Sequence, residues 1–421
     1  MAVKDDSWTV TTLKECARWY SGGTPNTSVA EYWNGDIPWI TASSLHDFYI
    51  KNSERRVTPL GIAHGTRLIP KDTILFIVRG MSLKTEFRVG ITRRPMAFGQ
   101  DCKALVAKDG VDPLFLANVL RAKSEEILGF VDEASHGTGR LATDALEKLE
   151  ILFPPLDEQK AIAHILGTLD DKIELNQQMN QTLEAIAHAL FKSWFIDFDP
   201  VRAKLDGRQP AGMDAETAAL FPAEFEDGGA IGQIPKGWRI ERLEETADIV
   251  MGASPKGDTY NEDGIGIPLV NGPVEFGEYF LVKKKWTTSP TRLSQPGDLI
   301  FCVRGSTTGR RVIADDVYCL GRGVCAIRGL KNTQLFINQT IELELERLLT
   351  KTTGSVFPNL SSSDLREFEV LIPTQSIIER FCSTAQPLNE EILANIHQLK
   401  TLQAVRDALL PKLLSGQLQV I

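Results

Sequence analysis

The sequence is poor in the features that announce membrane insertion, disulfide scaffolding, metal binding or catalysis. No window approaches about 18 uncharged apolar residues, and the opening MAVKDDSWTV is acidic where a secretory leader needs a basic and then an apolar stretch. A cytoplasmic chain without a membrane span is expected. The six cysteines (Cys16, Cys102, Cys302, Cys319, Cys325, Cys382) contain no CxxC pair, which argues against a zinc knuckle or redox dithiol and for buried thiols. The six histidines (His46, His64, His136, His164, His188, His397) are scattered, so no metal site is expected.

Catalytic signatures are also missing. There is no GxxxxGK[ST] phosphate loop; the tract SGGTPNTS has the glycines of such a turn without its lysine. HExxH and GxSxG are absent. Neither Asn271-Gly272-Pro273 nor Asp199-Pro200-Val201 satisfies the catalytic loop of an adenine methyltransferase. No motif unites a nucleophile, a base and an oxyanion donor, so no catalytic residue is assigned and binding is the expected activity.

What is present is a chain of 421 residues, 43% hydrophobic and 24% charged, with 46 Lys and Arg against 55 Asp and Glu. Single cores stop growing near roughly 250 to 300 residues, so several domains are required. The net charge of -9, taken whole, disfavours a nucleic-acid partner.

The chain repeats itself. Trp8, Pro25 and Pro38 recur as Trp238, Pro255 and Pro268 at an offset of 230. Ile74 to Gly80 (ILFIVRG) recurs as Leu299 to Gly305 (LIFCVRG) at 225, and Leu146 to Pro154 (LEKLEILFP) as Leu365 to Pro373 (LREFEVLIP) at 219. The offset then holds, so each half has a part whose loops vary and a part of fixed length.

The fixed part reads as a helix. A heptad seam runs through Ile162, Leu166, Leu169, Ile173, Asn176, Asn180, Leu183, Ala187, Leu190 and Trp194, and recurs as Phe381, Ala385, Leu388, Ile392, Asn395, Leu399, Leu402, Arg406, Leu409 and Leu413. About 33 residues give a seam of about 50 Å. Pro411 is expected to kink or fray the second helix. Asn176 and Asn395 occupy equivalent seam positions, and antiparallel packing is expected to pair them and fix the register. Between the halves, Asp197 through Gly232 reads as a connector with one short helix, Ala215 to Leu220.

Charge divided by region changes the first impression. Residues 1–155 carry 19 basic and 19 acidic side chains and 232–375 carry 17 and 18, whereas 156–231 carry 6 and 14. Inside the neutral parts, residues 51–103 hold 11 basic against 4 acidic, and 283–311 hold 7 against 1. Both basic windows surround the repeated Val-Arg-Gly element. Two related basic modules on a rigid spacer suit a reader of two short DNA segments at a fixed distance. Arg beside Gly at a strand end can reach a guanine edge, Asn, Ser and Thr can contact other bases, and Lys and Arg can hold phosphates. The candidate DNA-binding residues are Thr41, Ser43, Ser44, Arg79, Lys84, Arg88, Arg93 and Arg94 in the first half. In the second they are Asn271, Lys283, Lys284, Arg304, Ser306, Thr307, Arg310 and Arg311, with Lys103, Lys285 and Arg322 nearby.

Three runs carry a family likeness: Phe153-Pro154-Pro155-Leu156-Asp157-Glu158-Gln159 leading into Ile165 to Glu174, Leu190 to Val201, and Ile234-Pro235-Lys236-Gly237-Trp238. In these the chain resembles the specificity (S) subunits of type I restriction-modification systems, over essentially its whole length. The second copy departs at Pro373-Thr374-Gln375-Ser376-Ile377-Ile378, which lacks the Pro-Leu-x-Glu-Gln run.

The resemblance implies an α+β chain with two target recognition domains (1–155 and 232–375). These are separated by two spacer helices (156–196 and 376–415) that form an antiparallel coiled coil, with a connector at 197–231. It implies that double-stranded DNA is read as a bipartite, asymmetric site. It also implies docking of two methyltransferase (M) and two motor-nuclease (R) subunits that carry S-adenosylmethionine, ATP and Mg, with no cofactor on this chain. The acidic residues Asp170, Asp171, Glu174 and Glu184 either solvate the spacer or, with Ile165, Ile186, Phe191 and Phe195, dock the M subunits; Phe191, Trp194 and Phe195 exceed what a two-helix seam can bury, which favours docking. Two other readings are the recognition part of a single-chain restriction-methylation enzyme, which the few residues before Trp8 disfavour, and a coiled-coil adaptor that binds no DNA, which the paired basic windows disfavour.

Overall fold

The computed structural model describes residues 8–134, 138–351 and 358–420, so His136 and the acidic opening segment lie outside the described residues. The chain divides into two compact units: Met1–Leu175 with Leu399–Ile421, and Asn176–Gln398. Each holds one globular domain and portions of both long helices.

In the first unit the apolar run Ile74–Ile77 forms the middle of a five-stranded sheet ordered Ala17–Ser21, Cys102–Ala107, Ile74–Ile77, Val89–Thr92, Tyr49–Ile50. All four residues of Ile74–Ile77 are fully buried, as a strand covered on both faces requires. A four-stranded sheet, Arg56–Val57, Trp33–Ile40, Met96–Phe98, Leu68–Ile69, lies in the same domain. The helix Pro113–Ala122, capped by the Asp112 side chain, adds Phe115, Leu116 and Leu120 to the core.

The domain closes where Thr9–Thr12 pairs antiparallel with Glu150–Phe153. Pro154 and Pro155 end that strand, because proline has no N–H for the ladder, and the first long helix follows at Leu156–Phe195. Glu158 and Gln159 then lock the junction. The fully buried Gln159 accepts from the Asp112 N–H (2.9 Å) and donates to the carbonyls of Pro154 (2.9 Å) and Gly110 (3.3 Å), while the Trp8 indole donates to Glu158 (2.9 Å).

The second unit repeats this plan with different chemistry. Its central sheet is ordered Ala247–Met251, Val324–Gly329, Leu299–Cys302, Arg311–Ile313, and Arg239–Arg242 pairs with Glu369–Ile372 before the second long helix, Gln375–Leu414. The counterparts of Glu158 and Gln159 are the buried Ile377 and Ile378. Accordingly, the indole N–H of the buried Trp238 has no hydrogen-bond partner.

Three expectations are corrected here. Phe191, Trp194 and Phe195 are buried, packed with Phe221, Trp238, Phe336 and Phe381. The domain and the connector supply the aromatic partners that a two-helix seam lacks, so these rings are not a docking surface. The connector holds two helices, Asp199–Leu205 as well as Ala215–Leu220; Pro200 sits in the first turn of the former, where its missing N–H costs nothing. The second long helix runs through Pro411 to Leu414, and through Pro387 as well, so it does not fray at Pro411.

The long helices pack antiparallel through buried amides. In the second unit the Asn395 side chain donates to Asn180 (2.9 Å) and Asn176 donates to Gln398 (2.6 Å). Asn176, Asn180 and Asn395 are all buried. The expected Asn176–Asn395 pair is therefore replaced: each amide meets a partner about one helical turn from the symmetric position. The repeat offset makes Asn176 and Asn395 equivalent in sequence, but equivalence does not require that they lie opposite one another.

Asn180→Leu or Asn395→Leu alone leaves one buried amide without its partner and should lower stability by about 1–3 kcal/mol. The double Leu variant should recover most of that loss. Chemical denaturation of the two single variants and the double variant checks the cycle.

Candidate nucleic-acid interface

Each unit's central sheet ends at one edge in the same backbone bonds. In the first, Val78 N donates to Asp101 O (2.9 Å), Gly99 N to Ile40 O (2.7 Å) and Leu141 N to Val78 O (2.9 Å). In the second, Val303 N donates to Gly323 O (2.9 Å), Gly321 N to Val270 O (2.8 Å) and Leu360 N to Val303 O (2.9 Å). These bonds align positions that the unequal loops obscure: Thr41 with Asn271, Arg79 with Arg304, Gln100 with Arg322, and Arg140 with Asn359.

Around the first set lies a pocket of about 340 Å³ lined by Arg79, Gln100, Lys103 and Arg140. Around the second lies one of about 670 Å³ lined by Asn271, Arg304, Arg322, Tyr260 and Ser254. Arg79 and Arg304 are both exposed, two residues past the buried strands that end at Ile77 and Cys302. Gly305 adopts φ 85°, a left-handed conformation that favours glycine after Arg304. In the second pocket Gly321 and Gly323 flank Arg322, and a Cβ at either would lie within 2.1 Å of Asn271 atoms. The two glycines therefore let the Arg322 loop pack directly on Asn271.

The remaining sequence candidates separate into groups. Lys84, Arg94, Lys284, Lys285, Ser306 and Arg310 are exposed, and Thr307 is half-buried. Arg88 pairs with Glu86 (2.7 Å) and Lys283 with Asp316 (2.6 Å). Lys103 donates to the Ser21 hydroxyl (2.8 Å). Thr41, Ser43 and Ser44 form a hydroxyl-bonded turn, in which Thr41 N donates to Ser44 Oγ (2.9 Å) and the Thr41 and Ser43 hydroxyls lie 2.8 Å apart. Arg93 and Arg311 face inward instead. Arg93 stacks on Tyr49 (4.0 Å) and pairs with Asp171 (3.8 Å), and Arg311 pairs with Glu342 and donates to Gly309 O (3.0 Å). Gln100, Arg140 and Tyr260 were missed by sequence reasoning, since only the sheet register brings them to the arginines.

Residues 5–185 and 235–402 match the type I restriction modification DNA specificity domain. The chain belongs to the type I restriction-modification specificity family. It is 30% identical over 430 residues to the type I restriction enzyme MjaIX specificity subunit of Methanocaldococcus jannaschii, covering 98% of this chain and 94% of that one. To the HindI specificity subunit of Haemophilus influenzae it is 29% identical, covering 72% of this chain and 77% of the relative. The crystal structure of an S subunit from M. genitalium shares the fold, with a TM-score of 0.63, 16% identity and 98% coverage of both chains. The chain is thus a DNA-recognition, non-catalytic component of a type I system, and its two domains are the paired specificity domains of that family.

In the first unit the helix acids hold the specificity domain in place. Asp170 is 6% exposed and takes both Arg121 (3.1 Å), from the domain, and Arg406 (3.0 Å), from the second long helix; the Tyr49 hydroxyl lies 3.4 Å away. Burial and the neighbouring Asp170 carboxylate push the Tyr49 phenol upward, so it stays protonated as a donor. Glu174 pairs with Lys51 and Asp171 with Arg93. Asp170 therefore fastens the domain rather than merely solvating the spacer, Glu174 and the exposed Asp171 add more weakly held pairs to it, and Glu184 is exposed.

Replacing Asp170 by Asn removes the shared counter-charge from two half-buried guanidinium groups and should cost about 3–5 kcal/mol. Thermal unfolding of Asp170→Asn beside Asp171→Asn checks this; the exposed Asp171 should change little.

Proposed function

We propose that each specificity domain reads one half of a bipartite, asymmetric DNA site, with Arg79 and Arg304 in equivalent roles at the centre of the two surfaces. The observation that carries this reading is the pair of matched pockets, each placing an exposed arginine at the same strand end. Bidentate donation to a guanine edge suits such a group. Lys84 and Arg94 in the first domain, and Lys284 and Arg310 in the second, would anchor phosphates and set orientation, joined by Arg88 and Lys283 once these exchange their exposed partners Glu86 and Asp316 for phosphate. Asn271, Ser306, Thr307 and the Thr41-Ser43-Ser44 turn would offer further base or phosphate contacts. Arg93 and Arg311 are left to brace their own units, through Asp171 and Glu342.

The long helices act as the spacer between half-sites. In a complex of the family type the subunit works with two methyltransferase (M) and two restriction-translocase (R) subunits in the cytoplasm. S-adenosylmethionine, ATP and Mg reside on those partners. Support for docking on the helices comes from apolar side chains left outside the seam: Leu175 is 49% exposed, Ile186 48% and Val405 42%.

Arg79→Ala and Arg304→Ala should each weaken specific binding by roughly 1–3 kcal/mol, if the contact is to a base. Competition binding of the assembled complex on specific and scrambled duplexes checks this, and unchanged affinity for both variants would remove the assignment. Ile186→Asp should reduce co-purification with the methyltransferase subunit while leaving the thermal unfolding of the chain unchanged.

A further inference from the structure

The family places two readers on one chain without saying which side chains make them read differently. Among the four aligned positions, Arg79 and Arg304 are the same residue and cannot distinguish the halves. Thr41 is tied into its hydroxyl turn, and Asn271 is packed on the Gly321 backbone. Arg140 and Asn359 also exchange a guanidinium for an amide, but Asn359 is half-buried and does not line the second pocket, which leaves the pair Gln100 and Arg322. Each is exposed, each lines its pocket beside the shared arginine, and each sits at the first residue outside the sheet ladder. Their backbones are fixed by the strands on both sides: Gly99 and Gly321 bond to the neighbouring parallel strand, and Asp101 and Gly323 accept from the strand carrying the arginine. In the second domain Ser254 further receives the Arg322 N–H (3.4 Å).

An amide side chain can donate to and accept from adenine N7 and N6 together, whereas a guanidinium only donates and matches guanine N7 and O6. We propose that Gln100 and Arg322 are the residues that make the two half-sites different: Gln100 selects an A·T pair in one half, and Arg322 selects a G·C pair at the corresponding position of the other. This rests on the reading of the matched pockets as DNA-contacting surfaces. Arg79 and Arg304 then supply the contact common to both halves, and the exchange at one position contributes the asymmetry.

The test exchanges the two residues in the full chain, assembled with its methyltransferase subunits, and selects bound sequences from a duplex pool randomised in both half-sites. Arg322→Gln should move one position of one half-site from G·C toward A·T by about tenfold or more in enrichment. Gln100→Arg should move the corresponding position of the other half-site from A·T toward G·C. In each variant the untouched half-site should keep its preference, which reports that the complex is folded and bound.

If both variants bind with the parental motif in both halves, or lose affinity equally for every sequence as a phosphate contact would, the proposal is overturned. Arg79→Ala and Arg304→Ala, run through the same selection, separate the two levels. Loss of binding there with unmoved motifs in the exchanges overturns only the selector assignment, and no effect in any of the four variants overturns the pocket reading as well.

Discussion

Each half of this molecule depends on one strand pairing. Thr9–Thr12 bonds to Glu150–Phe153, and Arg239–Arg242 to Glu369–Ile372. The pairing joins the first and last strands of a domain some 140 residues apart in the first copy and some 130 in the second, and so closes a long loop before the helix begins. Loops inside the closed segment can lengthen without moving its ends, so the copies differ in length before the proline-terminated strand and agree after it. The helix start is held by the same pairing, because the proline that ends the strand leaves the next residues free of the ladder.

The two halves meet the same constraint with different interactions. At the first junction Gln159 satisfies three backbone groups and Glu158 takes the Trp8 indole; farther along the helix, Asp170 holds Arg121 and Arg406. At the second, Ile377 and Ile378 replace the polar pair, and Phe191, Phe195, Phe336 and Phe381 form an edge-to-face cluster. Buried hydrogen bonds and ion pairs are directional and define one geometry, whereas apolar contacts give more burial with less directionality. The first domain is thus positioned by directed contacts and the second mainly by shape.

The acidic character of the spacer has the same origin. In the first unit Asp170, Asp171 and Glu174 receive Arg121, Arg93 and Lys51 from the domain. Basic residues committed to these pairs are unavailable to phosphate, whereas Arg79 and Arg304 stand exposed at their strand ends. A near-neutral domain can in this way present a basic face while its other cations serve packing.

Patterning alone determined the internal repeat, the two long helices, the absence of a catalytic motif and the Val-Arg-Gly strand end, because periodicity, spacing and residue chemistry are local or additive properties of a sequence. The junction run Pro-Leu-x-Glu-Gln was visible as a motif, but what Glu158 and Gln159 do was decided by loop 110–112 and Trp8 arriving beside them. The seam asparagines were legible as buried amides, while their partners, Gln398 and Asn180, depended on how far one helix slides along the other. Likewise Gln100 and Arg322 carry no sequence signal that aligns them, since 59 and 51 residues separate them from Thr41 and Asn271. Only the sheet register, a long-range hydrogen-bonding choice that unequal loops conceal, brings them to the same place.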